Sequence, residues 1–330
     1  MKTILNRLIQ HETLSKEEAK NILVNISNGL YNPSQIASFL TVYMMRSITI
    51  EELSGFREAL LELCIAIDLA NYNAIDLCGT GGDGKDTFNI STLASFVTAG
   101  AGINVAKHGN YGVSSISGSS NVMESMGIKF SNDAAFLEKC ISETGICVLH
   151  APLFHPAMKN VAPIRKELAV KTFFNMLGPM VNPSFPKHQL VGVFSLELAR
   201  MYAYLYQNTE TNFTILHSLD GYDEISLTGN TKIISKNFEQ IIKPEDFKVA
   251  KLNETEIQGG ITIEKSAEIF LTILSGKGTE AQNNVVCANA GMAIATVKNC
   301  TPIEGFELAK ESLLSKQALE RLKKLQLLSK

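Results

Sequence analysis

The sequence predicts an α/β protein: a small N-terminal all-helical domain, followed by a larger domain with a mostly parallel sheet flanked by helices. Three helical patterns, each with its own N-terminal cap, occupy the first 65 residues. Beyond them, short apolar strands alternate with helical segments, which is typical of a parallel sheet. A chain of 330 residues is long enough for two such domains.

The helical domain is predicted at residues 1–65 from its capping signals. These signals lie at Ser15–Glu18, Asn32–Pro33 and Thr49–Glu52. Apolar residues follow each signal at helical spacing. Three short amphipathic helices cannot bury their apolar faces alone, so their partner is either another subunit or the rest of the chain.

The larger domain is predicted at residues 73–155 and 184–330, with a helical return to the small domain near 156–183. Its predicted strands are AIDLCGTGG, INVAKHG, ICVLHA, HQLVGVF and NFTILHS. Helical patterns separate these strands, and two long helices and a helical tail follow. The segment 156–183 carries several prolines and shows no strand pattern, so we place it with the helices.

Composition excludes several classes of protein. The chain is 45% hydrophobic and 19% charged, with a net charge of −3 and a pI near 6.1, which is unlike a nucleic-acid-binding domain. Its six cysteines form no C-x-x-C pair, which argues against a zinc site and fits a reducing compartment. Neither a signal peptide nor a membrane-spanning apolar run is recognisable, so we expect a cytoplasmic protein.

A glycine-rich segment, DLCGTGGDGKDTFNIST at residues 76–92, follows the first predicted strand of the sheet. Three of its glycines satisfy G-x-G-x-x-G, but a dinucleotide site expects an acidic residue about 20 residues later. The basic pair Lys107–His108 follows the next strand instead. A P-loop is also excluded, because Asp86 stands where Ser or Thr would coordinate magnesium.

Polar loops nevertheless follow two consecutive strands, and both are suited to phosphate. Backbone N–H groups of a glycine loop and of a helix N-terminus bind anions. The second loop, KHGNYGVSSISGSS at residues 107–120, supplies a lysine, a histidine and several hydroxyls. In a parallel sheet both loops lie at the same carboxyl edge. The sequence therefore predicts a ligand with two separate phosphate groups.

Four motifs together resemble the anthranilate phosphoribosyltransferase family, and the match spans nearly the whole chain. They are CGTGGDGKDTFNIST (78–92), KHGN with GSSNVMESMG (107–127), HPAMKNVAPIRKELAVKTFFNMLGP (155–179) and DGYDEIS (220–226). The resemblance implies transfer of the phosphoribosyl group from 5-phosphoribosyl 1-diphosphate, here called the donor, to the amino group of anthranilate. Diphosphate is released with Mg²⁺, and the product belongs to the second step of tryptophan biosynthesis from chorismate.

The resemblance also assigns site residues. Catalytic roles fall to Lys107, Arg165, Asp223 and Glu224. Donor contacts fall to Gly79, Gly82, Asp83, Thr87, Asn89, Ile90, Ser91, Thr92, Lys107, His108, Gly109, Asn110, Tyr111, Gly112, Val113, Ser114, Ser115 and Ser119. Anthranilate contacts fall to Gly79, Asn110 and Arg165, and magnesium ligands are Ser91, Asp223 and Glu224. The family is dimeric through its helical domain, so we expect Phe39, Tyr43 and Met44 to face a second subunit.

Several of these residues also have a plain structural interpretation. An adjacent acidic pair such as Asp223–Glu224 often lies in a solvated loop, but here it follows an apolar strand, where hard carboxylate oxygens suit magnesium. Arg165 follows Pro163 and suits the carboxylate of anthranilate through two parallel hydrogen bonds. His108 could act as a base or as a positioning group, and positioning is preferred because the neutral amine needs no strong base.

The chain departs from the family pattern at a few positions. Tyr111 replaces the usual Arg of KHGNR, and Asn121 replaces the usual Asp of the GSADVLEALG motif. We hypothesise that this Arg and this Asp pair across the loop and were lost together. Ala169 and Lys171 replace a more usual Gly and Arg.

Two other functions are compatible with parts of the pattern. A pyrimidine nucleoside phosphorylase has the same fold, but the HPAMK…NMLGP stretch and the acidic pair argue against it. A non-catalytic relative that binds nucleic acid should be basic and should lack the acidic pair. This chain has a net charge of −3 and contains the pair.

Overall fold

The computed structural model describes residues 1–112 and 117–330. The predicted donor contacts Val113, Ser114 and Ser115 therefore lie outside the described residues. The chain divides into two compact units, Met1–Ile67 with Ala151–Pro183, and Asp68–His150 with Ser184–Lys330. The first is helical and the second holds a seven-stranded sheet flanked by helices, which confirms the predicted fold class.

The helices, in chain order, are α1 (Lys2–Ile9), α2 (Lys16–Ser27), α3 (Pro33–Met45), α4 (Ile50–Glu62), α5 (Ile90–Gly100), α6 (Ser119–Ser125), α7 (Ala134–Thr144), α8 (Ala151–Phe154), α9 (Ala162–Leu168), α10 (Leu196–Gln207), α11 (Ile263–Leu274), α12 (Glu280–Lys298), α13 (Pro302–Leu314) and α14 (Gln317–Leu328). The strands are β1 (Ile75–Gly79), β2 (Val105–Gly109), β3 (Ile146–His150), β4 (His188–Gly192), β5 (Asn212–Ser218), β6 (Thr231–Ser235) and β7 (Glu239–Ile242).

The three predicted caps of the helical unit are confirmed. The side chains of Ser15, Asn32 and Thr49 each accept a hydrogen bond from the backbone N–H three residues later, and each of these residues closes a capping box. Helix α1 was not predicted, because its residues carry no Ser, Thr, Asp or Asn cap: its N-terminal neighbour is Met1. The helical unit therefore has one more helix at its N-terminal end than the sequence pattern indicated.

An aromatic cluster fills the core of the helical unit. The rings of Phe39, Tyr43, Phe56 and Phe173 lie 4.4–6.1 Å apart between centroids. Phe39 and Tyr43 are buried within this unit, so the expectation that they face a second subunit was wrong. Phe173 from the 156–183 segment covers them, whereas Met44 stays exposed.

The sheet of the larger unit has the order β3-β2-β1-β4-β5-β6-β7. The first five strands in this order are parallel, and β6 and β7 are antiparallel. The strands β6 and β7 were not predicted. In β7 the residues Glu239 to Ile241 are exposed and lack an apolar pattern. The strand order reverses between β1 and β4, and such a reversal opens a crevice at the carboxyl ends of the strands.

Helix α12 lies against α5, β4 and β5 and supports this edge of the sheet. It packs closely against α13, where Gly291 and Gly305 face each other and a Cβ atom on either would collide with backbone. Most of α12 is buried, as its small and apolar residues from Val285 to Ala295 predict. In the described parts of the chain we find no helix with the length and apolar character needed to cross a bilayer.

Candidate active site

The crevice between β1 and β4 is closed from above by the loop that follows β5. A Cβ atom at Gly79, the last residue of β1, would collide with the Asp223 carboxylate. A Cβ atom at Gly192, the last residue of β4, would collide with the Asp223 backbone carbonyl. Both strands therefore end in glycine so that the acidic loop can cross their ends at close range.

Backbone amides from the glycine segment hold both carboxylates of the acidic pair. The Gly81 N–H donates to Asp223 Oδ2 at 2.7 Å, and the Ser91 N–H donates to Glu224 Oε1 at 2.8 Å. The Thr87 hydroxyl lies 3.5 Å from Glu224 Oε2. Because Ser91 lies in the first turn of α5, the positive end of that helix dipole also faces Glu224.

The two carboxylates nevertheless carry strongly raised pKa values. Burial, followed by the negative charge of Asp83, raises the pKa of Asp223 to about 7. Burial, followed by the charge of Asp223, raises the pKa of Glu224 to about 8. Three acidic side chains thus share one small region, and their charges are not balanced by the amides that bind them.

This donor set fits magnesium. Among the described residues no three His, Cys, Asp or Glu side chains form a group that could hold a metal ion without other ligands. Magnesium is usually held by one or two carboxylates together with substrate phosphates, so a pair of carboxylates beside phosphate-binding loops is the expected arrangement. The uncompensated negative charge at Asp223 and Glu224 is what a divalent cation would neutralise.

The glycine segment folds back on itself through left-handed backbone. Gly81, Gly82 and Gly84 have φ values of +64°, +75° and +76°, which other residues rarely adopt. Within this turn Asp83 Oδ1 accepts from the Lys85 N–H at 3.0 Å. The turn brings the Gly81 N–H within hydrogen-bond distance of Asp223. A few residues later the chain enters α5.

The segment then enters α5, where two of the predicted donor contacts have side chains that cannot reach a ligand. The side chains of Ile90 and Thr92 are buried in the core. The backbone N–H of Thr92 at the start of α5 is therefore the atom suited to a phosphate, because the Ile90 N–H donates to the Phe88 carbonyl at 2.6 Å. Asn89 Nδ2 donates to the Ser117 carbonyl at 2.9 Å, which ties this segment to the second loop.

The second loop begins with two buried basic residues. Lys107 Nζ donates to the Leu77 carbonyl at 2.7 Å, across to β1. The backbone N–H of His108 donates to Asp76 Oδ1 at 3.1 Å. Gly109 lies against Ser119, where a Cβ atom would approach the Ser119 hydroxyl to 2.5 Å.

Asn121 joins the two ends of the loop. Its Oδ1 accepts from the Gly112 N–H at 2.9 Å and from the Gly118 N–H at 3.0 Å. Gly118 lies so close to Gly112 that a Cβ atom on it would collide with the Gly112 backbone. The carbonyl of Asn110 adds a further tie by accepting from the Ser120 N–H.

Tyr111 has partners other than Asn121. Its hydroxyl donates to the Glu124 carboxylate at 3.3 Å, and its ring meets the His150 ring edge-on at 4.8 Å. His150 in turn stacks on Phe130 and bonds to the Ser120 hydroxyl. Burial lowers the pKa of His150, so the imidazole is held as a neutral packing group.

Arg165 lies in the helical unit, on α9. Its Nη2 donates to Asn175 Oδ1 at 3.2 Å, and its guanidinium lies 5.3 Å from the centre of the Phe174 ring. Burial lowers its pKa, and none of the ion pairs formed by the described residues includes it. A half-buried guanidinium with an amide and an aromatic ring as neighbours is suited to an anionic ligand.

Comparison with known proteins gives the same family over the whole length of the chain. Residues 71–319 match the family model "Glycosyl transferase family, a/b domain", and residues 2–64 match "Glycosyl transferase family, helical bundle domain". An anthranilate phosphoribosyltransferase of Flavobacterium psychrophilum is 84% identical over 329 residues and covers 100% of both chains. The chain belongs to the anthranilate phosphoribosyltransferase family. The Cytophaga hutchinsonii member is 55% identical, with 98% of this chain and 99% of the relative covered.

Solved structures of this family have the same fold. The Thermus thermophilus anthranilate phosphoribosyltransferase superposes with a TM-score of 0.91 at 30% identity, covering 98% of each chain. The Saccharomyces cerevisiae enzyme, in complex with PRPP and Mg, superposes with a TM-score of 0.90 at 26% identity, covering 98% of this chain and 96% of the other.

One residue that supports the acidic loop was missed by sequence reasoning. Asn289 is buried on α12, where its Oδ1 accepts from the Ile225 N–H at 3.0 Å and its Nδ2 donates to the Ile225 carbonyl at 2.9 Å. It thereby fixes the backbone directly after the acidic pair. The available signal was an asparagine inside an otherwise apolar helix, VVCANAGMAIA.

A family departure also has a structural consequence. Ala169, where the family commonly has Gly, ends α9 with a φ of +53°. This left-handed conformation favours glycine at a helix C-terminus, so alanine is strained there. Nothing in the structure explains why the chain has alanine at this position.

Proposed function

We propose that this chain transfers the 5-phosphoribosyl group of 5-phosphoribosyl 1-diphosphate to the amino group of anthranilate. The products are N-(5-phosphoribosyl)anthranilate and diphosphate, the second step of tryptophan biosynthesis from chorismate. The observation that carries the proposal is the pair Asp223–Glu224, held by backbone amides over the β1–β4 crevice between two phosphate-suited loops. The 84% identity to a named family member supports the same activity.

The larger unit is proposed as the donor-binding domain. The start of α5 offers the backbone N–H of Thr92 and a positive dipole to the phosphates, whereas the Ser91 N–H is used to hold Glu224. The second loop, pinned by Asn121, adds Asn110 and Ser119. The buried ammonium of Lys107 lies beneath both loops and contributes positive charge on the side where diphosphate departs.

Asp223, Glu224 and Ser91 are the proposed magnesium ligands. Magnesium bound there supplies positive charge that stabilises the leaving diphosphate. The chain's own contribution is to hold the two carboxylates rigidly, through Gly81, the Ser91 N–H and Asn289, before the donor arrives. Such positioning, together with electrostatics, accounts for most of catalysis in transfers of this kind.

Arg165 is the proposed anchor of the anthranilate carboxylate, together with Gly79 and Asn110. The Asn175 side chain and the Phe174 ring orient its guanidinium. The amine of anthranilate attacks as a neutral nucleophile, so the site needs no strong base. His108, whose backbone is fixed by Asp76, is proposed to position the reactants.

A direct assay tests this function. The protein is mixed with anthranilate, donor and magnesium, and loss of anthranilate fluorescence is followed. Turnover that depends on all three components is expected. Phosphorolysis of a pyrimidine nucleoside by inorganic phosphate, without turnover of anthranilate, would contradict the proposal in favour of the related phosphorylase activity.

The helical unit is further proposed to form a homodimer in the cytoplasm. With Phe39 and Tyr43 buried internally, the exposed large apolar residues of this unit are Ile9, Leu30, Met44, Met45, Ile65 and Val170. Met44→Glu with Met45→Glu should yield monomers in sedimentation experiments. An unchanged dimer would show that α3 does not form the contact.

A further inference from the structure

A further carboxylate, Asp76, lies near the site, and the function proposed above uses only its hydrogen bond to the His108 backbone. Asp76, on β1, has no exposed surface and sits in the middle of the sheet. A carboxylate at such a position is expensive to bury and needs a specific reason. Its Oδ1 accepts from the His108 N–H at 3.1 Å, and its Oδ2 lies 3.5 Å from Gln189 Nε2.

Asp76 interrupts the pairing of the two strands that lead into the two loops. Strand β1 pairs with β4 at five register positions, and β2 pairs with β3 at five. Within the described strands β1 and β2 pair at one position, Ile75 with Val105. Beyond it the Asp76 side chain takes the His108 N–H that a strand carbonyl would otherwise accept. The backbone pairing of β1 with β2 therefore stops where the Asp76 side chain lies.

The side chain of Lys107 lies where this pairing has stopped. It is buried, and its ammonium reaches the Leu77 carbonyl on β1. Burial lowers the pKa of Lys107, whereas the charges of Asp76, Cys78 and Glu224 raise it. Among these three groups, Asp76 opposes the lowering of the pKa of Lys107 most strongly.

We propose that Asp76 is a positioning residue for the transfer reaction, which stops the backbone pairing of β1 with β2 and keeps Lys107 as an ammonium beneath the donor loops. The inference rests on the proposed function, because Lys107 matters only if the loops above it bind the donor. Asp76 itself touches neither substrate nor metal in this account; it acts through Lys107 and through the His108 backbone.

The decisive variant is Asp76→Asn. The amide has the same shape and keeps an oxygen for the His108 N–H, but the charge beside Lys107 is lost. Lys107 should then lose its proton at lower pH, so the alkaline limb of kcat/KM for the donor should move down by roughly one pH unit. At alkaline pH kcat/KM for the donor should fall about tenfold, as one pH unit implies, while the KM for anthranilate changes little.

A double-mutant cycle separates this role from a purely structural one. In a Lys107→Met background the Asp76→Asn change should have no further effect on donor binding or on the alkaline limb, because the group it acts through is gone. Gln189→Met is the matched control: it disturbs another neighbour of the same carboxylate and should leave the alkaline limb in place. If Asp76→Asn fails to fold, Asp76→Ser enters the same cycle.

Donor binding is also measured by calorimetry across the pH range, with magnesium and without anthranilate. If turnover of anthranilate is absent but donor binding shows the coupling, the proposed function fails and the inference stands. An equal loss at every pH, or a loss that adds in full to that of Lys107→Met, would overturn the inference. Absence of donor binding in the unmodified protein would overturn both.

Discussion

Two buried carboxylates, Glu52 in the helical unit and Glu224 in the larger unit, are treated in opposite ways. Glu52 is fully buried and pairs with Arg46, and it accepts hydrogen bonds from the Leu14 N–H, the Tyr43 hydroxyl and the Thr49 N–H. Burial raises the pKa of Glu52, but the Arg46 guanidinium and the backbone amides outweigh burial and lower it overall. The pKa of Glu224 is instead raised to about 8.

The difference separates a structural carboxylate from a functional one. Glu52 has a cation and a full set of donors within its own unit, so its charge helps to fix α3 and α4. Glu224 has an amide donor from Ser91 but lies beside Asp223, another acid. Binding sites commonly contain charges that are unfavourable until a ligand binds, so these residues lower the stability of the free protein.

The largest expected effect comes from removing the functional pair. Asp223→Asn with Glu224→Gln should lower kcat by on the order of a thousandfold or more, since the charge that holds the metal and diphosphate is lost. Both amides keep oxygens for the Gly81 and Ser91 N–H groups, and a buried repulsion disappears. The melting temperature should therefore stay level or rise.

Asp220→Asn is the control for this pair, since that carboxylate lies on the same loop and accepts from the Thr228 hydroxyl. It should leave kcat within a few-fold, in keeping with one hydrogen bond. Near-normal turnover of the Asp223–Glu224 double variant at limiting magnesium would show that the metal assignment is wrong.

The structural carboxylate should behave in the reverse manner. Glu52→Gln leaves the Arg46 guanidinium without its charge partner, and breaking a buried ion pair costs about 3–5 kcal/mol in the free energy of unfolding. Denaturant titration measures this loss, and kcat of the folded fraction should not change. Glu51→Gln, on the exposed face of the same turn, is the control; an equal effect from both would refute the role of the buried network.

Arg165→Ala tests a second group reserved for a ligand. Loss of a charge-assisted bidentate contact should weaken anthranilate binding by roughly 2–4 kcal/mol. Donor binding, measured by calorimetry without anthranilate, should change little. The exposed neighbour Lys166→Ala should affect neither. Equal losses for both substrates would argue that Arg165 supports the fold rather than anthranilate.

His155 extends the comparison to a buried base. Burial lowers its pKa to about 4, although the Val181 and Leu60 backbone carbonyls partly oppose this. Because the unfolded chain binds the proton more readily, the free energy of unfolding should be full above about pH 6.5 and fall by roughly 2–3 kcal/mol toward pH 4. His155→Asn should remove that slope, whereas His11→Asn should retain it. A slope that persists in His155→Asn would assign it to other groups.

Local signals predicted most of the fold. The cap residues Ser15, Asn32 and Thr49 predicted the starts of three helices, and NFTILHS predicted β5 at its observed limits. The exposed strand β7 and the uncapped α1 carry no such signal. The sequence predicted that a second subunit covers Phe39 and Tyr43, because the residue that does cover them, Phe173, lies far along the chain. The burial of the acidic pair depends on tertiary contacts, and so does the position of Asn289 behind it. The spacing of residues along the sequence does not indicate such contacts.

The smallest expected effect concerns Tyr111 and Asn121. The sequence suggested that the family's Arg and Asp pair across the loop and were lost together, which predicts coupling when both are restored. In this chain Tyr111 contacts Glu124 and His150, whereas Asn121 Oδ1 accepts from the Gly112 and Gly118 N–H groups. An aspartate at position 121 could accept from the same two amides, so its restoration needs no arginine.

We therefore expect little coupling between these positions. In a double-mutant cycle of Tyr111→Arg and Asn121→Asp on kcat/KM for the donor, the coupling energy should be below about 0.5 kcal/mol. Arginine at position 111 should find Glu124, three residues beyond Asn121, as its partner. Glu124→Gln provides the control: it should couple with Tyr111→Arg where Asn121→Asp does not. A coupling well above 1 kcal/mol between positions 111 and 121 would restore the paired-loss hypothesis, because only direct contact or a shared loop shift produces such a value.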